Sequence, residues 1–303
     1  MNESTISNGI QTRQNEEGNV AKLAAADRLY SEVKRMSFFK FLFAVVFPFA
    51  LSWIQLFWDN SLITSVSCVL AVISMLLSYR LTPAIQKKVA LAADIKQDYD
   101  VSVYQMPWNP ALFGTRKNLA REIAENNAAG RNRNENEYNN NFRDWYRPET
   151  DSLSLEEGIF ACQKENYAWD ANIRKRYRNL CTVGIGTLIL VIVAFGILKD
   201  ESVTVLLARL AFIIPILSWL LETVGALNAD LERLEEMRAD FQSADTRNME
   251  DLQKIQKNIY EHRKSSLTPP GFVYQLFRDR DEETARRTIE MESWGKRDET
   301  DSV

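Results

Sequence analysis

An all-α membrane protein is the fold class this sequence predicts: four transmembrane helices as two hairpins, with a helical cytoplasmic domain. Three observations predict it. Four apolar segments, at 38–58, 62–79, 180–198 and 203–224, are each about 18 to 22 residues long, the length an α-helix needs to cross a hydrocarbon core roughly 30 Å thick. They come in pairs joined by tiny polar loops, Asp59 and Asn60 in one and Lys199, Asp200 and Glu201 in the other. The section between the pairs is charged and holds no apolar run of comparable length. Within a bilayer the backbone must satisfy its own hydrogen bonds, so such runs form helices. Buried helices of a large soluble protein could have the same length. However, 41–51 and 187–198 are apolar on every face, where a soluble core helix keeps a polar stripe.

The chain thus divides into an N-terminal arm and helix (1–37), a first hairpin (38–79), a helical middle region (80–179), a second hairpin (180–224) and a helical C-terminal region (225–303). The apolar fraction of 46% averages these spans with very polar flanks. A net charge of -4 with no Lys/Arg-rich arm argues against a nucleic-acid polymer as partner. Basic residues crowd one side of the spans: Lys34, Arg35 and Lys40, then Arg80, Lys87 and Lys88, then Arg174, Lys175, Arg176 and Arg178. The positive-inside rule therefore places both termini and the middle region in the cytoplasm, with the short loops outside. The first 37 residues are too long and polar ahead of the first span for a cleavable signal, which makes that span an uncleaved signal-anchor.

The elements follow in order. Leu23, Ala26, Tyr30 and Val33 mark one face of an amphipathic helix over 19–36. Ile85, Val89, Ala92, Ile95 and Tyr99 continue the second span as a helix until Pro107 and Pro110 stop it. Residues 126–141, rich in Asn, Gly and Arg, cannot fold alone and read as a mobile loop or an ordered surface excursion. Ser154 and Glu157 form a capping box. It opens a helix that runs through Ile159, Tyr167, Ile173 and Tyr177 into the third span. Beyond the fourth span, Leu227, Leu231, Leu234 and Phe241 predict a long emerging helix. Its seam is interrupted at Arg238, Asp245 and Asn248, restarts at Leu252, Ile255 and Ile259, and ends at 268–271. A short helix over 272–287 and a disordered acidic tail from Arg297 complete the chain.

Catalysis finds little support. His262 is the only histidine, and Cys68, Cys162 and Cys181 lack metal-like spacing. No phosphate-cradling or dinucleotide-binding glycine motif is present, nor a metalloprotease pattern. We therefore expect no enzyme, metal or cofactor. Polar residues inside the spans are more informative. Arg209 lies roughly 9 Å into the fourth span from its outer end. It either snorkels to headgroups or lines a pore or an interhelical contact. Glu222 reads as interfacial, and Gln55 is ambiguous. Pro48 and Pro215 interrupt the first and fourth spans and are candidate gating hinges. Ser67, Ser74 and Ser78 share a polar face of the second span, and Thr182 and Gly186 have small-xxx-small spacing. Four helices from one chain hardly enclose a wide channel, so permeation would require an oligomer.

The cytoplasmic segments resemble the SMODS-associated four-transmembrane effectors, a bacterial family of pore-forming character. The likeness runs through IQTRQN at 10–15, Leu29, Tyr30 and Lys34. It continues with WYRP at 145–148, CQKEN at 162–166, Trp169, Asp170, Arg176 and Tyr177, and closes with Arg263, Pro269, Tyr274 and Arg278. The resemblance implies antiphage defence: a nucleotidyltransferase makes a cyclic oligonucleotide, and the effector senses it and compromises the inner membrane. The implied partners are the lipid bilayer, that ligand, the nucleotidyltransferase and further copies of the chain. A cyclic-nucleotide sensor needs cations for phosphates and flat side chains for bases. Trp145, Tyr146 and Arg147 supply both types in sequence. Asn166, Trp169, Asp170 and Arg174 place similar chemistry on the helix feeding the third span. The competing assignment is that the rings pack the bundle and the ions pair around them.

Overall fold

A computed structural model describes residues 7–57, 61–113, 115–130, 141–198, 214–273 and 276. Every regular element among the described residues is helical. A short α1 (Ile10–Gln14) leads to α2 (Glu17–Phe41), which passes through a π-helical turn (Leu42–Val46) into α3 (Phe47–Phe57). Pro48 accounts for the widened turn, because its nitrogen cannot donate to the Ala44 carbonyl and its ring crowds that oxygen. Helix α4 (Ser61–Tyr104) runs 44 residues without a break. It ends where Gln105 adopts a left-handed φ of 57° and the Met106 N–H closes onto the Val101 carbonyl at 3.0 Å. That cap satisfies a carbonyl the helix end would leave unpaired. Pro107 prevents any continuation.

After α5 (Pro110–Phe113), α6 (Arg116–Gly130) carries the chain to its Asn-rich stretch. The expected loop over 126–141 is corrected in its first part: 126–130 are the last turn of α6. Residues 131–140 lie outside the described residues. A 3₁₀ turn (Pro148–Ser152) precedes α7 (Leu155–Leu198), which again spans 44 residues. The capping box is present as expected. The Glu157 N–H donates to Ser154 Oγ at 3.3 Å, and the Ser154 N–H donates to the Glu157 carboxylate at 3.4 Å.

The C-terminal region differs from the single long helix expected. Helix α8 (Ile214–Ser243) stops, and α9 (Met249–Ser265) begins with Asn248 Oδ1 capping the Glu250 N–H at 3.0 Å. The pairings of Asp240 with Lys254 and Asn258, and of Asp230 with the Leu267 N–H, show that the chain doubles back antiparallel. The interruption at Asp245 and Asn248 is therefore a turn: Asp245 ties its N–H to Asp251, and Asn248 restarts the helix. Residues 271–273 begin one more helical turn. The remainder of the expected 272–287 helix, apart from Leu276, and the acidic tail lie outside the described residues, as do Arg209 and both hairpin loops.

Two antiparallel helix pairs build the molecule. In the first, Lys22 meets Asp98, Glu32 meets Lys88 and Lys40 meets Thr82 across α2 and α4. In the second, Ile173, Tyr177 and Cys181 of α7 pack against Ile216, Leu220 and Leu227 of α8. Helix α9 joins the pairs: Leu252, Ile255 and Ile259 are buried, and Gln256 reaches both Gln97 on α4 and Gln163 on α7. Each buried aliphatic side chain contributes about 1.5–3 kcal/mol. By length and composition, α4 and α7 can each cross a membrane. Their apolar stretches leave Leu62, Met75, Val183, Leu190 and Leu198 exposed, as helices facing lipid would. Ser74 is buried in the α4 face toward the other helices, whereas Thr182 and Gly186 face outward. Glu222 is held by Lys40 at 2.9 Å.

Candidate functional site

The two helix pairs and α9 border a cavity of about 780 Å³, within the range of small-molecule sites. Its walls come from α2, α4, α7, α8 and α9 and from the segment before the 3₁₀ turn. Six of the seven residues singled out for ligand binding line it: Trp145, Tyr146, Asn166, Trp169, Asp170 and Arg174. Arg147 does not; its guanidinium turns to Glu165 at 3.1 Å.

The six do different things there. Trp145 and Trp169 remain 42% and 38% exposed, so each offers ring surface to a ligand. Tyr146 is 1% exposed and belongs to the wall. Its hydroxyl donates to Asp100 at 2.9 Å and accepts from Tyr104 at 2.7 Å and from Asn166 at 3.1 Å. Burial pushes the Tyr104 and Tyr146 phenols well above their ordinary range, so both stay neutral. Asn166 is oriented by that hydroxyl. Arg174 is buried and fully engaged, donating to Asp170 at 3.0 Å, to Ser266 at 3.1 Å, and to Asp230 and the Leu267 carbonyl. Asp170 also meets His262. Burial by itself would raise the Asp170 carboxyl; the charges of Arg174 and His262 outweigh it and hold the group well below the usual carboxylate range. Arg174 and Asp170 are thus a latch between α7, α8 and the chain after α9.

Other residues of the site were not legible as such. The segment 10–15 clamps the Trp145 region from below. Gln11 Nε2 donates to the Tyr146 and Arg147 carbonyls at 2.9 and 2.7 Å, and the Tyr146 N–H donates to Gln14 at 2.7 Å. Asp144 takes a left-handed φ of 50° and is held by Asn15 on both its N–H and its carboxylate, at 2.9 and 2.7 Å. That turn is what carries Trp145 to the cavity. Arg263 pairs with Asp100 at the cavity wall. Lys96 of α4 enters with its ammonium 4.7 Å from the centre of the Trp145 ring. Burial pushes this lysine down to about 8, and Arg263 acts in the same direction. A lone lysine between Ile95 and Gln97, four residues before Asp100, was the available signal.

A family model described as the SMODS-associating 4TM effector domain matches residues 8–291. The chain belongs to this family. Neither the curated proteins nor the solved structures contain a match. The effector is therefore a SMODS-associated membrane protein, and its match spans the 10–15 clamp, the cavity and the apolar helices alike. Of the candidate gating positions, Pro48 is buried beside the π turn. Pro215 is the second described residue of α8, so the turn before it lies outside the described residues.

Proposed function

We propose that this effector serves bacterial antiphage defence, sensing a cyclic oligonucleotide in the cytoplasmic cavity and then permeabilising the inner membrane as an oligomer. The observation that carries the reading is a continuity. Helices α4 and α7 line the cavity at one end and present membrane-length apolar surface at the other. A ligand held between Trp145 and Trp169 would bear on α7 and α4 together. In this reading the four spans form two hairpins, both termini are cytoplasmic, and no chemical step is catalysed. Arg209, Pro48 and Pro215 belong to the conducting or gating part, and the ligand comes from a partner nucleotidyltransferase.

The cavity supports a nucleotide ligand because it combines exposed indoles with a cation and hydrogen-bonding groups. A scaffold recruiting a soluble partner through 227–259 fares worse, since Leu227, Leu234, Leu252, Ile255 and Ile259 are all buried. The test is reconstitution of the full chain in dye-loaded vesicles with added cyclic oligonucleotides. Ligand-dependent dye release supports a wide breach, and selective ion flux without dye release marks a narrow channel. Vesicles sealed to both would overturn the proposal.

A further inference from the structure

The cations around the cavity are unequally committed. Arg263 is paired with Asp100, Arg174 with Asp170 and Asp230, Arg147 with Glu165, and His262 faces Asp170. Asp27 and Lys34 already hold interactions of their own. Among the described residues, Lys96 alone of the cavity's cationic side chains has neither a hydrogen bond nor a carboxylate within ion-pair distance; its ammonium sits over Trp145. Tyr30 also lines the cavity, its hydroxyl without a hydrogen-bond partner among the described residues. A partly buried charge without a counter-ion is costly. What would compensate it is an anion delivered by a ligand, next to a flat group able to meet an indole.

We infer that Lys96, backed by Trp145, is a specificity-determining residue of the cavity: its ammonium meets one phosphodiester of the ligand while the indole meets a flat group beside it. The inference rests on the cavity being the nucleotide site.

The test uses the full chain in lipid nanodiscs and direct binding measurements. The probes are cyclic di- and trinucleotides of all four bases. Lys96→Gln should weaken the binding of a ring that binds the parent about 10- to 100-fold, the range of a lost charge-assisted hydrogen bond. Lys96→Arg should stay within about 5-fold of the parent. Thermal unfolding of Lys96→Gln, expected to be no lower than that of the parent, separates lost binding from lost folding. A ring that binds parent and Lys96→Gln equally overturns the assignment of Lys96 and leaves the cyclic-ligand reading standing. Binding of no probe overturns both readings.

Discussion

Lys96 and Asp170 sit at one cavity, and each makes the protein more stable as pH rises, over a different pH range. Burial lowers Lys96 to about 8, against about 10.4 in an unfolded chain. Between those values the unfolded state binds more protons, so this group makes the ligand-free protein more stable as pH rises. Arg263 lowers it further, while Asp100, Asp170 and Asp27 act against the shift. An anion that needs charged Lys96 should accordingly bind progressively less well above about pH 8, which calorimetry across pH 6–10 would read. The Asp170 carboxyl is depressed by its cations. Its stabilisation is complete above about pH 4, the ordinary carboxylate value, and is lost as pH falls below it. Arg174→Ala removes the guanidinium that joins Asp170 to Asp230 and leaves Asp230 with Arg233 and Asp170 with His262. Removing one partner of a buried pair costs about 3–5 kcal/mol, so thermal unfolding in detergent should move sharply downward. Little change would mean that water replaces the guanidinium in the latch.

The elements show why local rules were readable and their assembly was not. The Ser154 cap is a four-residue pattern, and its geometry follows from helix periodicity alone. Ser154→Ala should cost about 0.5–2 kcal/mol, measured by urea or thermal unfolding. Gly158, one turn into the same helix, had no such signature. A Cβ there would lie 2.6 Å from Asn8 Nδ2 and 3.1 Å from the Thr150 carbonyl, because the N-terminal segment crosses the helix at this point. Gly158→Ala should therefore loosen the 7–15 segment, which limited proteolysis near Arg13 would detect as faster cleavage; unchanged protection would show that the crossing can shift at no cost. The identical logic explains the 10–15 stretch: its glutamines look like ordinary surface residues until the fold brings them under Tyr146, more than 130 residues away.

At the scale of the whole molecule, α9 decides the architecture. It carries Leu252, Ile255 and Ile259 into the space between the α2–α4 and α7–α8 pairs. Its polar residues complete the network on Asp100. Truncation after Ser243 would uncover that apolar space and leave Asp100 without Arg263. Such a chain should fail to run as a monodisperse species in detergent gel filtration; a well-behaved truncated protein would show that the two pairs hold together without α9. The arrangement also gives a route by which the cavity and the apolar helices respond together, since α4 and α7 belong to both.

By itself, the sequence determined the apolar lengths, the helix starts and stops, and which aromatic and polar residues were worth attention. All of these are encoded within a few turns of chain, in periodicity, capping and proline chemistry. Only the tertiary structure decided that 244–248 is a reversal rather than an interrupted seam, that Tyr146 is wall while Trp145 is surface, and that Arg147 turns away. It also decided that Lys96 is left over when the other cavity cations have partners. Those outcomes depend on which distant side chains compete for each charge and each buried volume. Residue types fix what a group can do, whereas pairing across the fold fixes which group remains free to do it.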